Sequence, residues 1–144
     1  MKALRKFLAL DNSDRLFLVG CLATVAIVRL CLSFLSYRRM RAWLPATPAS
    51  GVATAGELKR VAWGVGNAAR IVPGASCLTQ ALSGQLILAR RGKPSQVRIG
   101  VARDDQGRFI AHAWLLSEDT IVLGGTEENV SRFAPLTDLD WKRP

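Results

Sequence analysis

Residues Leu16 to Leu35, LFLVGCLATVAIVRLCLSFL, form a nearly unbroken apolar run whose one charge is Arg29. The chain has 144 residues, enough for one domain with a modest core, so a segment of that length must be accommodated somewhere definite. As a helix it would reach about 30 Å, the thickness of the hydrocarbon core of a bilayer. A cleaved secretory signal is the poorest fit, because the run outlasts a usual apolar signal region and no clear small-residue cleavage site follows. A transmembrane or membrane-associated helix over residues 16–35 would carry Arg29 well inside, at about 2.5 to 3.5 kcal/mol on insertion scales. A helix buried in the domain, or docked on a partner, lets Arg29 lay its stem along apolar surface and keep its head in water. That third reading is preferred. Asp11 or Ser13 can cap the start of the helix, and the basic segment Arg38-Arg39-Met40-Arg41 closes it.

Residues 1–44 therefore read as an apolar N-terminal helical segment. Residues 45–53, containing Pro45-Ala46-Thr47-Pro48-Ala49-Ser50-Gly51, have the composition of a linker, and residues 54–144 form the core of what is a single domain overall. Thr54-Ala55-Gly56-Glu57 has the form of a capping box, opening a helix that carries Val61, Val65, Ala68 and Ala69 as an apolar stripe and runs to about Ile71. Trp63 on that helix reads as a core or groove residue.

Pro73-Gly74-Ala75-Ser76-Cys77-Leu78-Thr79-Gln80-Ala81-Leu82 comes next. Ser76 is a good N-cap, Leu78, Ala81, Leu82, Leu86 and Ile87 recur at helical spacing, and Arg90-Arg91-Gly92 supplies terminal cations and a C-cap glycine. The spacing predicts a helix from Cys77 to about Arg91. Val97, Ile99 and Val101 then alternate with Arg98, Gly100 and Ala102 as a half-buried strand. Asp104-Asp105-Gln106-Gly107 is a turn, Arg108 to Leu116 a second strand bearing His112, and Thr120 to Leu123 a third after the Ser117-Glu118-Asp119 turn. Phe133-Ala134-Pro135-Leu136 reads as a packed loop, and Trp141 as a residue closing over the core or a partner. The class is α+β.

A thiol at a helix N-terminus lies among free backbone N–H groups and at the positive end of the macrodipole, which favours the nucleophilic thiolate. An arbitrary Cys and His are more often a small core residue and an unrelated imidazole. Here the neighbours distinguish them. The run Cys77-Leu78-Thr79-Gln80-Ala81-Leu82, with Arg98-Ile99-Gly100-Val101, Gly107-Arg108-Phe109, Ala111-His112-Ala113-Trp114-Leu115 and Val122-Leu123-Gly124-Gly125, resembles the leader peptidases of lasso peptide biosynthesis, the B proteins of those pathways. These are small transglutaminase-like (papain-like) cysteine proteases. The resemblance is densest over residues 73–125 and extends to the apolar N-terminal helix.

The resemblance implies a transglutaminase-like fold, with N-terminal helices and a nucleophile helix packed on a small antiparallel sheet. It makes Cys77 the nucleophile and His112 the general base and acid, with no cofactor and no metal. Such enzymes usually orient the imidazole with an Asp on the following strand. In a tight antiparallel pairing the residue facing His112 here is near Gly124, which has no side chain, so the third member stays open among a backbone carbonyl, a water, or an acid brought in by a register shift. The implied activity is cytoplasmic removal of the leader peptide from a ribosomally made lasso precursor, exposing an amine for a separate ATP-dependent cyclase. Residues 1–53 leave no room for a leader-binding domain, so a discrete leader-recognition protein, a RiPP recognition element, is the expected partner, with the apolar N-terminal helix as its docking surface. Two alternatives use the same residues differently: a transglutaminase-like acyl transferase, and a non-catalytic membrane-associated adaptor.

The formal charge of +9 and pI near 10.5 raise the question of nucleic acid, but no nucleic-acid motif accompanies the basic residues, which are spread through the chain. They read as solvated surface able to attract an acidic peptide, a partner protein or an anionic membrane. Of the three cysteines, Cys21 and Cys31 lie about 15 Å apart along one helix, too far for a disulfide, and a single His supports no zinc set.

Overall fold

The computed structural model describes residues 2–42 and 48–140; residues 45–47 of the linker and Trp141 lie outside this range. Asp11 starts the long apolar helix by accepting the Asp14 N–H at 2.7 Å. Before it comes α1 (Lys2–Leu8); the long helix is α2 (Asn12–Phe34), and α3 (Tyr37–Ala42) follows directly. One side of α2 enters the core through Cys21, Thr24, Val25 and Val28. The Thr54–Glu57 capping box is present and opens α4 (Ala55–Ala69), whose Val61, Val65 and Ala68 are fully buried. α2 and α4 cross at Gly64: a Cβ there would lie 2.6 Å from the Cys21 sulfur, so only glycine admits this approach. Arg60 on α4 adds a 2.9 Å ion pair to Asp14.

α5 (Cys77–Arg90) begins where the sequence places it and ends one residue earlier than expected. Its C-terminus is a Schellman motif, with Gly92 N–H donating to Ala89 O and Lys93 N–H to Leu88 O, each at 2.9 Å. Ser50 binds this end from the linker side, its N–H to Gly92 O and its hydroxyl to Arg91 O, both at 2.8 Å.

The sheet contains β1 (Gln96–Arg103), β2 (Phe109–Ser117), β3 (Thr120–Leu123) and β4 (Ala134–Asp140), all antiparallel in the order β3-β2-β1-β4. A short helix, α6 (Glu127–Ser131), joins β3 to β4. The alternating residues on one face, including Val97, Ala113, Leu115 and Leu123, join α2, α4 and α5 in one apolar core. The fold is α+β as expected.

The tail corrects the reading of residues 133–136 as a packed loop. Ala134, Pro135 and Leu136 begin an edge strand and are exposed. Pro135 is tolerated because it lies at the bulge opposite Ile99/Gly100, where a missing N–H costs no ladder bond. Further along, the buried Gln85 of α5 donates to Leu139 O at 2.7 Å and so fastens β4 to the core helix.

Candidate active site

The Ser76 hydroxyl accepts the Thr79 N–H, and Ser76 O accepts that of Gln80. Among the described residues the N–H groups of Cys77 and Leu78 have no protein partner, so the first turn of α5 keeps donors free beside the thiol. Cys77 itself is half-buried against the core. Arg29 of α2 packs on the loop that leads into it. The guanidinium hydrogen-bonds Ser33 and lies over Gly74, where a Cβ would come within 2.8 Å of Nε. Arg29 is thus half-buried at the loop before the cysteine.

His112 lies on β2, opposite Gly100 of β1. The alternation of the strand sends Ala113 and Leu115 into the core under α5 and leaves His112 and Trp114 on the other parity. The imidazole is held between two rings, Trp114 at 6.1 Å and Phe133 at 5.4 Å between centroids. Its Nε2 lies 2.5 Å from the carbonyl oxygen of Gly124. A carbonyl only accepts, so Nε2 carries the hydrogen, and in the neutral ring Nδ1 is left with the lone pair.

That bond exists because the chain leaves the sheet at Gly124. Pairing of β2 with β3 runs only from Leu115 to Ser117, so the N-terminal half of β2 has an open edge on that side. Gly124 has φ +100°, and a Cβ on it would lie 2.7 Å from Ala113 O. The turn therefore requires glycine, and its carbonyl is delivered to the imidazole.

By strand parity His112 faces away from the side of β2 on which α5 packs, and no hydrogen bond joins it to Cys77 at the start of that helix. Among the described residues no carboxylate bonds to His112. Asp104 is engaged by Arg108 and Gln106 at the hairpin tip, and Asp138 by Arg98 across β1 and β4. The sequence reading set Gly124 opposite His112 by a tight pairing that the structure does not have, since Ser117 pairs with Thr120 and the ladder stops at Leu115; only the Gly124 carbonyl reaches the imidazole. It missed Phe133 as a wall of the site, since nothing in its local pattern pointed back to β2. Among the described residues no group of His, Cys, Asp and Glu is clustered to hold a metal ion.

A family model described as the transglutaminase-like superfamily matches residues 21–138. The chain belongs to that superfamily. The match begins inside α2 and ends on β4, so it takes in the C-terminal part of the long helix from Cys21 and the edge strand as far as Asp138. No curated protein and no solved structure matches the chain. Membership of the transglutaminase-like superfamily points to thiol chemistry of the cysteine-protease or acyl-transferase kind.

Proposed function

We propose that this transglutaminase-like chain is a cysteine peptidase that removes the leader peptide from a ribosomally synthesised lasso precursor, with Cys77 as nucleophile and His112 as general base and acid. The observation that carries the catalytic part is the imidazole pinned through Nε2 to the Gly124 carbonyl, which leaves Nδ1 as the proton acceptor. The lasso assignment rests on the resemblance of the Cys77–Leu82 and Ala111–Leu115 segments.

In this reading Nδ1 takes the Cys77 thiol proton as Sγ attacks the scissile carbonyl. The oxyanion is received by the free N–H of Cys77 at the α5 terminus. The C–N bond breaks, His112 protonates the departing amine, and a thioester remains on Cys77. Water, deprotonated by His112, then attacks the thioester and restores the thiol. The Gly124 carbonyl supplies orientation without a full negative charge, filling the place usually given to an Asp. Cys77 and His112 are not hydrogen-bonded in this structure, so the reading requires bound substrate to bring the thiol and Nδ1 together. A discrete leader-recognition protein would present the precursor, and the ATP-dependent cyclase would take the product.

Mass spectrometry of a matched precursor, incubated with the chain and the leader-recognition protein, tests this. Cleavage at the leader–core junction by wild type, lost in Cys77→Ala and in His112→Ala, is the expected result. Amide exchange with an added amine in place of hydrolysis would make it an acyl transferase. Unimpaired cleavage by the variants would remove both residues from the chemistry.

A further inference from the structure

α2 is apolar on both sides, yet only one side is covered. Cys21, Thr24, Val25 and Val28 are buried against the rest of the protein. On the opposite side Leu16, Val19, Ala23, Ile27, Leu30 and Phe34 follow one another at steps of three and four residues, and all are exposed. From Leu16 to Phe34 the exposed positions carry no polar side chain except at Ser33. Leu16 is 74% exposed and Phe34 82%. A helix facing water would carry charge here; this one carries a continuous apolar stripe. Near Val19 the stripe runs into an apolar cleft of about 790 Å³ between α1, α2 and α4, lined by Leu4, Leu18, Trp63 and Ile71 and bordered by Lys6 and Arg70.

The charge around the stripe identifies what covers it. Residues 1–42 hold eight of the chain's twenty basic residues and two of its eleven acidic ones. Arg5 and Lys6 are exposed on α1, where Lys6 borders the cleft beside Val19, and Arg38 and Arg39 are exposed just past Phe34, so cations stand beside the apolar face and past its C-terminal end. Acidic side chains in this layer are Asp11, the cap of α2, and Asp14, paired with Arg60. A second copy of the chain docked here would bring two such cationic layers together. An anionic lipid surface complements both features at once.

We propose that the outer face of α2, with α1, rests in the interfacial layer of an anionic bilayer with the α2 axis parallel to the membrane plane. α2 has the length and composition of a membrane span. Spanning would strip its inner face from α4 and α5 and draw Arg29 from its place over Gly74. Lying in the plane satisfies both faces. The proposal gives to lipid the face of α2 that the sequence reading offered to a leader-recognition protein; it does not rest on the chemistry at Cys77, and its test has no activity readout.

Co-sedimentation of the full chain with phosphatidylcholine vesicles, with and without a quarter phosphatidylglycerol, at low and at high salt, tests it. Partition onto the anionic vesicles is expected, weakening in high salt. Arg38→Gln with Arg39→Gln should lower it roughly tenfold or more. Ile27→Ser with Leu30→Ser should lower it at both salt concentrations. These side chains are solvent-exposed, so far-ultraviolet circular dichroism should be unchanged. Failure to partition onto anionic vesicles, or partition indifferent to both pairs of substitutions, overturns the proposal. So does a dimer by light scattering that Ile27→Ser with Leu30→Ser dissociates, or protease protection of α2 from both sides of the vesicle.

Discussion

The decisive atom at the candidate site is a backbone oxygen. Gly124 O receives the His112 Nε2–H only because residue 124 has φ +100° and nothing attached to Cα. Gly124→Ala would force a Cβ to within 2.7 Å of Ala113 O and of Trp114 Cα. Backbone strain of this kind costs on the order of 1–3 kcal/mol. We expect a lower urea midpoint together with a loss of turnover larger than the fraction unfolded explains, because the carbonyl moves off the imidazole. Retention of full turnover would show that the Gly124 carbonyl does not orient the ring. A second residue-level prediction separates the cysteines. Cys21 is 1% exposed, and burial pushes its thiol up to about 11, against a smaller opposing effect from Arg91 and Arg60. Cys77 is only half-buried, at the first turn of α5. Brief iodoacetamide treatment of the folded protein, read by peptide mass spectrometry, should label Cys77 and spare Cys21. Equal labelling would mean that the core around Gly64 opens far more readily than its packing implies.

Among the elements, α4 and α5 and the strands β1 to β3 were legible because each couples an apolar period to an end signal. Thr54 with Glu57 and Ser76 with Gly92 bracket helical spacing, and Asp104 to Gly107 separates two alternating runs. α6, of five residues, is too short to show a period. β4 was illegible for a different reason: as an edge strand with mostly exposed side chains it needs no alternation, and Pro135 at its start looks like a breaker. What holds it is contributed from elsewhere, by Gln85 from α5 and Arg98 from β1. The site divides similarly. Cys77 and His112 were legible as residue types at particular positions, whereas the Gly124 carbonyl has no side-chain signature and Phe133 reaches His112 only through the fold. Gln85→Met keeps the length of the side chain but removes the donor to Leu139 O and Ser95 O. Loss of those bonds should cost about 1–3 kcal/mol, and hydrogen exchange should accelerate at β1–β4 amides before it does so in α5. Uniform acceleration would indicate that β4 opens only with the whole domain.

Taken whole, the molecule is cationic and uses its few acids as structural ties. Glu57 closes the capping box on the Thr54 N–H, Asp104 gathers the Arg108 and Gln106 amides at the hairpin, and Asp138 grips Arg98 across β1 and β4. These bonds hold all three carboxyls below their ordinary values: the Thr54 backbone first for Glu57, the Arg108 backbone for Asp104 and the Arg98 guanidinium for Asp138. A carboxyl lowered on folding binds its proton more readily in the unfolded chain, so its contribution is complete above the ordinary carboxylate range and is lost as pH falls through the folded value. Protonation also removes negative charge from a chain already at +9, adding self-repulsion in the same direction. The urea midpoint should therefore hold through neutral pH and fall once pH drops below the ordinary carboxylate range. Asp138→Asn should show a lower midpoint at neutral pH and a shallower fall, since it has surrendered part of that contribution in advance. Each pair is partly exposed, so added salt should narrow the difference between the two proteins. Parallel acid profiles for wild type and Asp138→Asn would mean that the Arg98 pair lends β4 no stability, leaving the β1 ladder, Gln85 and the Gln96–Asp140 bond to hold it.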